Sequence, residues 1–313
     1  NTRGYRDREF GPKAANTTRI ISLSDSMGFG YGVENAESYP KQLELALNQD
    51  LEQPRFEVLN AGAPGRGIQH MIHVLDRSEW FKPDIVLASF FFVNDLDDMR
   101  DFPNHVVRGG LVWTRSIGDL VDQDNWLAFS VNYSKLSLLA YRAWVNLKQR
   151  AKGENWRLGG SVAPPGRLLG IDALTHYPNP KGPKQIAAAR KREQLWQDFA
   201  AQLQILDQKT KAMGAKLVLI TLAQEYLTRD AVWEALQQSG DVTSKHNRDL
   251  AGHQLSKICA DAGVAFYDTI PDFRATPPKT TRFFTLNKHF TPEGNAFTAA
   301  ILARYLRQNG LVR

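Results

Sequence analysis

Residues 22–33 read SLSDSMGFGYGV. The preceding TRIISLS (18–24) is apolar and β-branched, the composition of a buried strand. It runs into Asp25 and Ser26, after which glycine takes positions 28, 30 and 32. A strand that ends in a tight, glycine-rich turn places that turn at the carboxyl edge of a sheet. Such turns collect Ser, Asp and Gly for backbone reasons alone. The same geometry also suits a serine nucleophile, so the rest of the chain has to decide between the two.

Four more strands follow the same logic. RFEVLN (55–60) ends at the turn AGAPGRG, and PDIVLASFFF (83–92) is continuously apolar, as in a parallel sheet covered on both faces. AKLVLIT (215–221) and VAFYD (264–268) complete the set. Helical spacing separates them at 38–50, from Ile68 through Ile72 and Leu75, at 184–213 and at 244–262. A last helix starts at Thr291-Pro292, a cap followed by proline at the first helical position, and stops before Gly310. The alternation predicts an α/β fold: a doubly wound, mostly parallel five-stranded sheet with helices on both faces. Residues 1–313 read as a single domain with an insertion, or lid, at 97–183. That insertion holds one expected helix (134–150) and Trp113, Trp126, Trp144 and Trp156.

Composition narrows the function. The chain has 313 residues, 42% hydrophobic and 23% charged, and its net charge of +6 is spread rather than clustered, so no nucleic-acid face is expected. The longest apolar run, IVLASFFFV (85–93), is half of what a membrane helix needs. Cys259 is the only cysteine, which excludes an internal disulfide and a cysteine zinc cluster. The first residue is Asn1, which leaves room for an upstream signal or anchor.

Several chemistries fail on spacing. A G-x-G-x-x-G dinucleotide turn would need its third glycine at Val33, and no Gly-Lys-Ser/Thr phosphate loop occurs. His70 and His73 lie three apart on a helix and Asp95, Asp97 and Asp98 follow the third strand, but no HExxH accompanies them. No metal and no cofactor are assigned. Acyl transfer needs a nucleophile, a base and donors for an oxyanion. Ser26, Gly62 and Asn94 each follow one of the first three strands, where doubly wound sheets place their sites. His289, in NKHFTPEGN (287–295), precedes a helix cap and supplies a base.

Taken in chain order, these blocks resemble the SGNH (GDSL-type) hydrolase superfamily. SDSMGFGYGV, NAGAPG, FVND and HFTPEGN match its four blocks, and the opening NTRGYRDREF looks like the lead-in of bacterial members. The resemblance implies an SGNH/flavodoxin-like three-layer sandwich. It makes Ser26 the nucleophile, His289 the base, and the Ser26 and Gly62 backbone N–H groups with the Asn94 amide the oxyanion hole. It implies an ester hydrolase acting on O-acyl esters, acetyl groups on carbohydrate among them, located outside the cytoplasm. The partner is then a small-molecule or glycan ester.

The chain departs from the pattern in three ways. The family's usual glycines are Ser24 and Phe92 here, and the acid that orients the histidine is replaced by Leu286 and Asn287. The Asn287 amide oxygen can accept a hydrogen bond from the imidazole but brings no charge. In serine proteases the equivalent Asp→Asn change costs about 10⁴ in turnover. An O-acyltransferase on the same site and a catalytically impaired glycan-binding protein are the competing readings.

Overall fold

The computed structural model describes residues 1–92, 95, 96, 99, 105–108, 111–114, 182–278, 280–285 and 287–312. The chain divides into two compact units, one of residues 1–99 and 169–313, the other of 100–168. In the second, β4 (His105–Arg108) and β5 (Leu111–Thr114) form an antiparallel pair in which Val106 is in register with Trp113. Irregular chain was expected there. The expected helix at 134–150 and Trp126, Trp144 and Trp156 lie outside the described residues.

The first unit is built on a sheet of β1 (Thr18–Leu23), β2 (Phe56–Asn60), β3 (Ile85–Phe91), β6 (Lys216–Leu222) and β7 (Ala265–Tyr267). Its order is β2-β1-β3-β6-β7 with every pairing parallel. The winding reverses between β1 and β3, so a crevice opens at their carboxyl ends. All seven residues of β3 are buried, which accounts for its continuous apolar run.

Helix α1 (Ser26–Phe29) is a single turn directly after β1. On one face α2 (Tyr39–Asn48) packs against α9 (Pro292–Gln308), and on the other α3 (Ile68–Asp76) packs against α4 (Pro183–Ala212), which also meets α7 (Leu250–Ala262). The predicted start of α9 holds: Thr291 accepts from the Gly294 N–H as its cap, and Pro292 opens the helix. Helix α7 begins at Leu250, six residues later than the apolar spacing suggests. Three short helices, α5 (Glu225–Thr228), α6 (Asp230–Ser239) and α8 (Ile270–Ala275), go beyond what that spacing predicts. Among the described residues, no helix is long and apolar enough to cross a membrane.

Candidate active site

The turn after β1 is assembled from buried hydroxyls. Ser24 accepts from the Gly28 N–H at 3.0 Å and from the Ser89 hydroxyl of β3 at 2.7 Å. Below it the Ser22 and Tyr39 hydroxyls meet at 2.9 Å, and burial raises the Tyr39 pKa. Asp25 is fully buried and caps α1, accepting from the Met27 N–H at 2.9 Å. It therefore serves the backbone, as its place before a helical turn suggests. Ser24, which stands where the resemblance places glycine, is the residue that locks this turn to β3.

Ser26 opens α1 with its hydroxyl 2.9 Å from Nε2 of His289 and 3.3 Å from Asp25 Oδ2. The hydroxyl has one proton, and the shorter contact goes to the imidazole. On the far side of the ring, Nδ1 lies 3.0 Å from the main-chain carbonyl of Asn287. A carbonyl can only accept, so Nδ1 carries the proton and Nε2 presents a lone pair to Ser26. That is the tautomer a general base needs. Burial lowers the His289 pKa below the ordinary value, opposed in part by the Asn287 carbonyl. The imidazole is therefore neutral at pH 7.

The expected role of the Asn287 side chain is corrected. Its Oδ1 accepts from the His289 backbone N–H at 3.0 Å instead of from the ring. This Asx turn bends the chain so that the main-chain carbonyl of the same residue reaches the imidazole. Lys288, between the two, has φ +60°. It is held by Glu225 of α5, whose Oε2 lies 2.9 Å from the Lys288 ammonium. Burial opposes the charge on Glu225, but its ion pairs with Lys288 and Arg229 outweigh that and keep its pKa low.

Gly62 is corrected as well. Its N–H donates to Asn60 Oδ1 at 3.1 Å, so it is not a free oxyanion donor. Its glycine identity has another cause: a Cβ there would sit 2.4 Å from the Phe29 nitrogen. The turns after β1 and β2 touch backbone to backbone at this point. Asn94 lies outside the described residues.

Residues that spacing did not reveal complete the rim. The Tyr31 ring, 47% exposed, lies with its centroid 5.0 Å from that of His289. The Arg6 guanidinium reaches the carbonyls of the turn that carries Tyr31. His70, a metal candidate by type, pairs through Nε2 with Arg66 at 2.7 Å. Among the described residues, no three His, Cys, Asp or Glu side chains are grouped to hold a metal.

A hydroxyl at a strand end within hydrogen-bond distance of an imidazole, on a doubly wound parallel sheet, is the arrangement that acyl-transfer chemistry requires of a nucleophile and its base. No family model matches the chain, and no curated protein does. Among solved structures, it is similar to the acetylxylan esterase Axe2 from Geobacillus stearothermophilus, with 13% identity, 94% of this chain and 95% of that one covered, and a TM-score of 0.45. LAE5, an alpha/beta hydrolase from the metagenome of Lake Arreo, Spain, gives 13%, 94%, 97% and 0.46 in the same order. TesA gives 10%, 91%, 97% and 0.43. The likeness to SGNH hydrolases rests on the four sequence blocks and on how Ser26 and His289 meet.

Proposed function

We propose that this chain is a serine-dependent ester hydrolase of the SGNH type. The observation that carries the reading is the relay Ser26 Oγ, His289 Nε2, His289 Nδ1, Asn287 O, with contacts of 2.9 and 3.0 Å. Ser26 attacks the ester carbonyl as His289 takes its proton at Nε2. The same proton is delivered to the leaving alcohol when the tetrahedral intermediate collapses. Water, deprotonated by the same nitrogen, then hydrolyses the acyl-enzyme and frees the carboxylic acid.

For the oxyanion, the Ser26 backbone N–H is one donor, at the open start of α1 where helical N–H groups lack partners. The Asn94 amide is the second, carried over from the sequence resemblance. Gly62 is the third by the same resemblance, and its N–H is bonded to Asn60 Oδ1 at 3.1 Å. In the turn after β2 the N–H groups of Ala61, Gly62 and Ala63 are all used within the fold, and Pro64 has none.

The substrate class is a small O-acyl ester, with acetylated carbohydrate the favoured case. The exposed Tyr31 ring beside His289 offers a flat apolar face for a sugar. The test is release of acetate from p-nitrophenyl acetate and from a peracetylated oligosaccharide. The parent protein should turn over both, and Ser26→Ala should reduce both by roughly 10⁴ or more. Equal rates from the two proteins would overturn the reading.

A further inference from the structure

Helix α1 is one turn long, too short to hold itself. Its N-terminal side is fixed by Asp25 and Ser24. Its C-terminal side ends at Gly30, in a left-handed conformation at φ +77°, where the backbone offers the carbonyls one long contact, from the Val33 N–H to Gly30 at 3.3 Å. They are met by a side chain from far back in the chain. Arg6 Nη1 donates to the Phe29 carbonyl at 2.6 Å and to that of Gly30 at 2.7 Å, and Nη2 donates to that of Val33 at 2.7 Å. The guanidinium also lies over the Phe29 ring, 4.8 Å from its centroid. A planar fork with five donors serves three convergent carbonyls in a way an ammonium cannot.

The neighbouring Asp7 does the same for the other turn. Its side chain is fully buried, accepts from the Asn60 N–H at 2.8 Å, and pairs with Lys41 at 3.1 Å. Asn60 ends β2, and its side chain holds the Gly62 N–H. Gly62 in turn lies against the Phe29 nitrogen. One dipeptide therefore grips the turns after β1 and β2, which meet each other between its two anchor points.

We propose that Arg6 and Asp7 are positioning residues for catalysis, acting through these turns on Ser26, Tyr31 and the oxyanion donors. The proposal rests on the ester-hydrolase reading above. The segment that Arg6 clamps, 29–33, carries Tyr31 against His289. Freed from Arg6, its carbonyls turn to water and the segment shifts. A misplacement of about 1 Å is enough to cost about 10² in rate.

The test uses the full chain carrying Arg6→Ala, Arg6→Lys or Asp7→Asn. The kcat and KM for p-nitrophenyl acetate, the rate of fluorophosphonate labelling and the melting temperature are measured on each. Arg6→Ala should lose about 10² in kcat and in labelling rate, with KM within a few-fold of the parent. Arg6→Lys should fall between, and Asp7→Asn should lose about tenfold. Guanidinium ion at millimolar concentration should restore part of the Arg6→Ala kcat and do nothing for Asp7→Asn. A purely structural role predicts instead a lower melting temperature with kcat per folded molecule unchanged, and that result overturns the proposal. If Arg6→Ala does not fold, parental kcat and labelling in folded Arg6→Lys overturn it equally. A parent that neither labels nor turns over ester defeats the hydrolase reading itself, and the proposal with it. Parental behaviour of the variants defeats the proposal alone.

Discussion

The two loops that meet at the candidate site are held in opposite ways. The turn that carries Ser26, 24–33, is fixed by groups that arrive from distant elements: Ser89 from β3, Arg6 from the start of the chain, and Gly62 from the turn after β2. The histidine loop, 281–291, is fixed largely by itself and its flanks. The Phe284 N–H donates to the His289 carbonyl at 2.8 Å, the Lys288 N–H to the Phe284 carbonyl at 3.0 Å, and Phe283 and Phe290 form a short bridge. Arg282 ties it to the adjoining chain, at the Thr276 carbonyl and at Glu293 in the first turn of α9. Lys288 reaches farther, to Glu225 on the surface. A serine must present its hydroxyl and its N–H in one fixed direction, which a buried turn secures. A base needs its ring at one distance and in one tautomer, and a local carbonyl is enough for that. Substitutions in the first loop should therefore cost fold and activity together, and those around the imidazole activity alone.

The largest effect expected from a single change in the histidine loop is His289→Ala. Turnover of p-nitrophenyl acetate should fall roughly 10⁴-fold or more, with the melting temperature within a few degrees of the parent. A large loss of stability would show that the loop is not self-contained. At the turn that carries Ser26 the contrasting change is Gly62→Ala, in the neighbouring turn that packs against it. The added methyl meets backbone, which cannot rotate away, so a loss of stability of about 1–3 kcal/mol is expected along with most of the activity. Chemical denaturation measures the first and ester turnover the second. A stable, active Gly62→Ala protein would break the contrast.

The smallest effect is the sharpest test of how the imidazole is held. With the Asn287 side chain bonded to backbone, Asn287→Asp keeps the Asx turn and should change the rate by less than about tenfold. A carboxylate that reached the ring would act otherwise, because restoring a coupled acid is worth up to about 10⁴. The pH profile gives a second readout. The His289 pKa is lowered by burial, so the base form persists to lower pH than in a free histidine. Activity should be flat around pH 7 and fall only as the pH drops below the ordinary histidine value of about 6.5. In Asn287→Asp that acid limb should stay close to its parental position. A marked rise of the limb, with a faster enzyme, would mean that the carboxylate has found the ring.

The same division explains what the sequence disclosed. The five strands were legible because each is an apolar run closed by a turn, and β3 most of all because both its faces are buried. That Ser26 and His289 meet was legible because each stands at an element boundary. The short helices α5 and α8 were not, since 4 and 6 residues give too few turns for a periodic signal, and α6 buries Trp233 alone and so carries no apolar stripe. Gly62 misled because glycine at a strand end suits both a donor N–H and a close backbone approach, and only the Asn60 side chain decides between them. Asn287 misled because a residue has two acceptors, and the conformation at Lys288 determines which one faces the ring. Arg6 left no trace in spacing: its contacts span 23 to 27 residues and end on carbonyls that every residue possesses.

His289 is proposed to activate Ser26 for attack. Intact mass spectrometry after exposure to a fluorophosphonate, run in parallel on the parent, Ser26→Ala and His289→Ala proteins, tests it most directly. One adduct per parent molecule is expected, with none on Ser26→Ala and labelling slowed by orders of magnitude on His289→Ala. An adduct that persists on Ser26→Ala, or a His289→Ala protein that labels as fast as the parent, would contradict it.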